Sequence, residues 1–278
     1  MDTFNHGALG KTSVYAEHYD ASLLFPMARS LGRTEIGIDS DLPLPFYGAD
    51  FWNAYELSWL EPSGKPCVAL AHITVPATSP NLIESKSLKL YLNSFNQTVF
   101  SSADEVHDCL ARDLAAAADA KVAVELILPE QFLAQGVASF EGFLLDTLPV
   151  SMDTYLPHPE FLSAQTDAAV VTETLTSYLL KSNCPVTGQP DWGSLQIAYT
   201  GYPINHEGLL KYIVSLRRHN GFHEQCVERI FMDVKRRCSP LRLSVYARYT
   251  RRGGIDINPF RASHADNPLP VNARLARQ

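Results

Sequence analysis

Cysteine is scarce in this chain and long apolar runs are absent, and each absence excludes a class of protein. The five cysteines, Cys67, Cys109, Cys184, Cys226 and Cys238, are odd in number and widely spaced. Reduced thiols, not a disulfide framework, are therefore expected. No CxxC pair is present, which argues against a preformed structural zinc site. No apolar run reaches the ~18 residues of a membrane span. The opening stretch "MDTFNHGALGKTSVYAEHYD" lacks the charged-then-apolar pattern of a secretory signal, so the expectation is a cytoplasmic protein with no membrane partner. Neither GxGxxG after a strand nor GxxxxGK(S/T) occurs, so a bound nucleotide would lie outside the Rossmann and P-loop schemes. A net charge of −7 speaks against a broad nucleic-acid surface, while leaving room for a local basic patch that holds a phosphorylated small molecule.

What remains is an ordinary globular chain, 46% apolar and 19% charged, whose 278 residues suit two domains of ~150 residues each. "YELSWL", the turn "EPSGKP" and "CVALAHITV" read as a β-hairpin with period-two patterning. Two helices follow: "ESKSLKLYLNSF", with Leu88, Tyr91, Leu92 and Phe95 at helical spacing, and "ADEVHDCLARDLAAAADA", with acids in its first turn. "KVAVELIL" then alternates as a strand. The second half repeats the order, with strands "AVVTETLTSYLL" and "SLQIAYT", the latter burying Leu195, Ile197 and Tyr199 on one face. Helices "HEGLLKYIVSLRRH" and "FHEQCVERIFMDVKRRC" come next, then the strand "LRLSVYARYT". Tyr91 and Ser94 match Tyr212 and Ser215 at one offset, and "CLARDL" resembles "CVERIFMDV". The reading is an α+β fold written twice, with two helices on one face of an antiparallel sheet. The cut falls at the linker "LLDTLPVSMDTYLPHP", giving modules 1–148 and 149–278.

The halves differ in chemistry, and complementary motifs on them suggest one composite site. In "SNCPVTGQPDWG", Cys184 precedes Asp191 across turn-forming residues. A free cysteine is most often a small buried hydrophobe. Here the surroundings are loop chemistry, and loops expose what they carry. A thiolate at neutral pH needs a lowered pKa or a nearby base, and Asp191 is placed to shuttle the proton. Otherwise Asp191 is a turn or capping aspartate. "GFHE" sets Phe222, His223 and Glu224 at a helix start, either as a capping segment or as a carboxylate, imidazole and aromatic plane for a guanine-like edge. "ESKSLK" presents Glu84, Ser85, Lys86 and Lys89 at another helix start, either a capped solvated turn or an anion site built from free backbone N–H groups. "RRGGIDINP" offers Arg251, Arg252, Gly253 and Gly254 as a basic turn or a phosphate clamp.

Together, "ESKSLKLY", "CPVTGQPDWG", "GFHEQC" and "RRGGIDINP" resemble the NADPH-dependent 7-cyano-7-deazaguanine reductases, the nitrile reductases of queuosine biosynthesis, in their long two-module form. The resemblance implies tandem tunnelling-fold (ββααββ) modules that close into barrels on dimerisation, hence a homodimer acting on a small 7-deazaguanine with no direct nucleic-acid contact. It implies Cys184 as the nucleophile forming a covalent thioimide, Asp191 as proton donor and His223 as its assistant. It gives Glu84, Ser85, Phe222, His223 and Glu224 to the substrate, and Ser85, Lys86, Arg252 and Gly253 to NADPH, with no metal. Zinc-dependent GTP cyclohydrolases share this fold type but need metal-holding cysteine and histidine. A silent purine-binding module would not need both Cys184 and Asp191. Cys226, near Glu224, reads as a buried helix residue matching Cys109; a second reading makes it a partner thiol that traps Cys184 as a reversible disulfide.

Overall fold

A computed structural model describes residues 15–278, so most of the stretch read for a targeting signal lies outside the described residues. Among the described residues no helix is long and apolar enough to cross a membrane. The chain forms two compact units, each α+β.

The first unit takes residues 15–31, 50–136 and 251–257. Its elements are β1 (Tyr47–Leu60), β2 (Pro66–Pro76), α1 (Ser85–Asn93), α2 (Ala103–Ala118) and β3 (Ala123–Ile127). β3 pairs antiparallel with β2, which neighbours β1. The alternation in β2 does what its period predicts: Ala69, Ala71, Ile73 and Val75 are buried against Leu88, Tyr91, Leu92, Leu110 and Leu114 of the helices. Ser102 caps α2 through the Glu105 N–H, and Asp119 ends it in the left-handed conformation at φ 53°.

The second unit takes residues 32–49, 137–250 and 258–278. It contains β4 (Val171–Asn183), β5 (Pro190–Gly201), α3 (His206–Ser215), α4 (His223–Cys238), β6 (Arg242–Tyr249) and the end of β7 (Ile255–Ala262). The strands β7, β6, β5 and β4 pair antiparallel in that order. Leu195, Ile197 and Tyr199 are buried, as their spacing in β5 requires.

The repeat is visible in bonds as well as in order. In the first unit the Tyr91 hydroxyl donates to Asp113 at 2.8 Å, tying α1 to α2; in the second, Tyr212 donates to Asp233 at 2.7 Å, tying α3 to α4. Ser94 donates to the Tyr91 carbonyl and accepts from the Asp20 N–H; Ser215 donates to the Tyr212 carbonyl and accepts from the His158 N–H. Registering the two 16-residue helices by their ends, each closed by a left-handed cap, sets Cys226 against Val106 and Cys109 against Arg229. The expected match of Cys226 with Cys109 is therefore corrected.

The units depart from a single cut at residue 148. Segment 32–49 joins the second unit because Arg33 pairs with buried Glu228 of α4 and Phe46 packs edge-on against Phe231, with centroids 5.6 Å apart. Arg252 and Gly253, expected in the C-terminal module, pack in the first unit. There the Tyr55 N–H donates to the Gly254 carbonyl, and Asp256 accepts from Asn53 and Tyr55. β7 itself is absent from the sequence reading.

Candidate active site

In the second unit, β4 and β5 form a hairpin whose tight end is the segment 184–189. The Cys184 N–H donates to the Gln189 carbonyl at 2.9 Å and the Cys184 carbonyl accepts from Gly188 at 3.0 Å. Gly188 has φ +68°, which favours glycine. The loop reading predicts an exposed thiol, and the structure corrects it: Cys184 is 4% exposed. Strand alternation is the reason, since Leu180, Ser182 and Cys184 turn inward while Lys181 and Asn183 turn outward.

Asp191 is likewise a strand residue and not a turn or capping aspartate. It is the second residue of β5 and the register partner of Ser182, on the same buried face, and it is 3% exposed. Its Oδ1 lies 3.3 Å from Nε2 of His223, the first residue of α4. The structure thus brings Asp191 and His223 together across 32 residues of sequence, at the hairpin end that carries Cys184. Phe222 precedes the helix; its N–H donates to the Gln225 side chain at 3.1 Å and its carbonyl accepts from the Cys226 N–H. Phe222 is part-exposed and Glu224 buried.

Burial sets the electrostatics of the surrounding groups. Lys181, on the outer face, is held below the usual lysine range by desolvation and by Arg217 and Arg218. Cys226 is fully buried and its thiol is pushed up to about 11 by desolvation, an inert core thiol. His219 lies behind the turn into α4, and a Cβ at Gly221 would come within 2.8 Å of its Nε2. That Nε2 is buried without a hydrogen-bond partner, and the imidazole is pushed down to about 4 by desolvation, with Arg229 adding to the shift.

The expected residues of the first unit are arranged differently. Buried Glu84 caps α1, and its two oxygens accept from the N–H groups of Lys86 at 2.7 Å and Ser87 at 2.8 Å. The idea of a free N–H anion cradle is therefore corrected, because the carboxylate already occupies those donors. The basic turn is built as expected: Gly253 and Gly254 have φ of 56° and 73°, and the Arg252 N–H donates to the Ile255 carbonyl at 2.9 Å. A side chain at Gly253 would press on Lys89, whose Nζ lies 3.3 Å from the Cβ position. Both glycines and Lys89, with Glu56, Asn93 and Asn96, line a cavity of about 240 Å³. The Lys89 amine stands over this glycine floor with the Glu56 carboxylate close to Gly254.

Sequence reasoning missed Tyr249, which stacks on His223, Ser182, the register partner of Asp191, and Gly193, which leaves room for the Tyr249 ring. Only Gly193, inside "PDWG", carried a local signal.

Residues 15–126 match the family model described as "Nitrile reductase, 7-cyano-7-deazaguanine-reductase N-term", and residues 190–268 match that described as "QueF-like protein". A protein of Burkholderia thailandensis named NADPH-dependent 7-cyano-7-deazaguanine reductase is 60% identical over 273 residues, covering 98% of each chain. Proteins of the same name from Burkholderia mallei and Burkholderia multivorans are 59% identical over the same length and share. A solved structure, the archaeosine synthase QueF-Like in the apo form, is 18% identical over 37% of this chain and 98% of that chain, with a TM-score of 0.31. With near-complete coverage at such identity, and both family models matched in order along one chain, this protein belongs to the NADPH-dependent 7-cyano-7-deazaguanine reductase family.

Proposed function

We propose that this protein reduces the nitrile of 7-cyano-7-deazaguanine to the aminomethyl group through a covalent thioimide on Cys184. The observation that carries the reading is the buried pair Asp191–His223 at the hairpin end bearing Cys184. The Cys184 sulfur attacks the nitrile carbon; a C–S bond forms, the triple bond becomes C=N, and the nitrogen takes a proton. Asp191 takes the thiol proton of Cys184 and passes it to that nitrogen, with His223, in contact with its carboxylate, assisting. Covalent capture divides one hard reduction into easier steps. NADPH, when bound, supplies the two hydrides that carry the carbon from nitrile to amine; between them the C–S bond breaks and the sulfur leaves as the Cys184 thiolate. Burial of Cys184 and Asp191 keeps water from the imine level, where hydrolysis would divert the product.

Glu224 accepts from the donor edge of the deazaguanine and Phe222 covers its face. Glu84 and Ser85 are given to the same substrate; a carboxylate offers about four acceptor positions, so two backbone donors leave Glu84 free capacity. Ser85, Lys86, Arg252 and Gly253 hold NADPH, and the glycine turn beside Lys89 supports that assignment. Two α+β units of matching element order support tandem tunnelling-fold modules that form barrels in a homodimer. The five free cysteines suit the reducing cytoplasm.

The test is mass spectrometry of the protein with the nitrile and no NADPH. Wild type gains the substrate's mass, and Cys184→Ala gains none and loses turnover. An adduct on the alanine variant defeats the assignment.

A further inference from the structure

Tyr249 is the last residue of β6 and is fully buried. Its ring lies flat against the His223 imidazole, with centroids 3.8 Å apart and planes 7° from parallel. Stacking at van der Waals distance leaves the imidazole one plane, and that plane carries Nε2 toward Asp191.

The tyrosine is itself held from three sides. Its N–H donates to Asn258 Oδ1 at 3.0 Å and its carbonyl accepts from Gln278 Nε2 at 3.1 Å. The Gln278 amide is fixed in turn: Oε1 accepts from Arg248 Nε at 2.6 Å and from the Leu275 N–H at 2.9 Å, and Nε2 also donates to Asn258. On the neighbouring strand, Gly193 pairs with Tyr249 in register, and a Cβ there would approach two ring carbons at 3.3 Å and Leu180 at 3.1 Å. The missing side chain at 193 is the space the ring occupies. The phenol hydroxyl is buried beside Cys226 and Ser182, and burial holds it neutral.

We infer that Tyr249 is a positioning residue for the reaction: its ring sets the plane of His223 so that Nε2 stays on Asp191, and Gly193 and Gln278 hold Tyr249 in place. The inference rests on the proton-transfer role of His223 proposed above. Positioning of this kind acts on turnover, because a displacement of about 1 Å at a reacting group costs up to about 10²-fold.

The experiment compares full-length Tyr249→Leu, Tyr249→Phe, Gly193→Ala and His223→Gln in steady-state NADPH oxidation with the nitrile. It adds NMR of ¹³C-histidine-labelled protein, with His223 assigned by its glutamine variant. Tyr249→Leu should lower kcat by ~10–100-fold with the KM for the nitrile within about 3-fold, and Tyr249→Phe should recover most of that loss. The His223 ring C–H signals should be shifted upfield in wild type and in Tyr249→Phe, and should lose the shift in Tyr249→Leu. Gly193→Ala should lower kcat by roughly 3–30-fold through displacement of the ring. If Tyr249→Leu does not fold, the wild-type ring-current shift and the Gly193→Ala kcat decide. Absence of that shift in wild type, or normal kcat in Tyr249→Leu or Gly193→Ala while His223→Gln is slow, overturns the inference alone. Normal turnover in His223→Gln overturns the proton role and the inference with it.

Discussion

Glu228 of α4 lies one helical turn beyond Glu224 and is buried. It accepts from two arginines: Arg33 donates Nε at 3.0 Å and Nη2 at 2.8 Å, and Arg261 donates Nε at 3.0 Å and Nη2 at 2.8 Å. The Arg261 side chain is wholly buried and that of Arg33 is 10% exposed, so neither charge is relieved by water. Glu228→Gln keeps the volume but removes a carboxylate that both guanidiniums share. Breaking a buried pair by deleting one partner costs about 3–5 kcal/mol. Against a total stability of ~5–15 kcal/mol this is a large share. With a urea dependence of ~1–3 kcal/mol per molar, the midpoint should fall by about 1–5 M. Urea titration followed by tryptophan fluorescence measures it. The triple variant Arg33→Met, Glu228→Met, Arg261→Met removes all the charges together and should recover most of the loss. An unmoved midpoint in Glu228→Gln at unchanged slope, or a triple variant as weak as the single one, would refute the reasoning.

Asp191→Asn keeps the shape but not the proton, so kcat should fall by ~10²–10⁴-fold and the mass adduct should form slowly or not at all; near-normal rates would return Asp191 to a structural role. Arg252→Ala should raise the KM for NADPH and narrow the preference over NADH, because a guanidinium fork on a phosphate has no substitute there; equal use of both cofactors by wild type would sink the idea. His219 titrates at about 4 when folded against 6.5 ordinarily, so the unfolded chain takes its proton first as pH falls. The contribution is complete above pH 6.5 and is lost between 6.5 and 4, a loss of about 3 kcal/mol. Urea midpoints at pH 7.5 and 4.5 should therefore converge in His219→Gln more than in wild type, and identical slopes would count against it.

Much of this molecule is legible in short stretches. Acids in the first turn and apolar spacing mark α2, alternation marks β2 and β5, and the Tyr–Ser pairs disclose the repeat, because helix and strand preferences act over a few residues. The candidate site's motifs are local for the same reason: Cys184 and Asp191 share one hairpin, and Phe222, His223 and Glu224 share one helix start. What tertiary structure alone decided is where polar groups go. β7 reads "IDINPFRA", with Asp256, Asn258 and Arg261 interrupting any strand pattern, yet all eight residues are buried. Each polar member is satisfied by a partner far away in sequence: Asn53 and Tyr55 for Asp256, Gln278 for Asn258, Glu228 for Arg261. The same holds for the stack of Tyr249 on His223. A polar side chain carries no mark of its own burial; the cost of desolvating it is met only by partners that the folded chain brings to it.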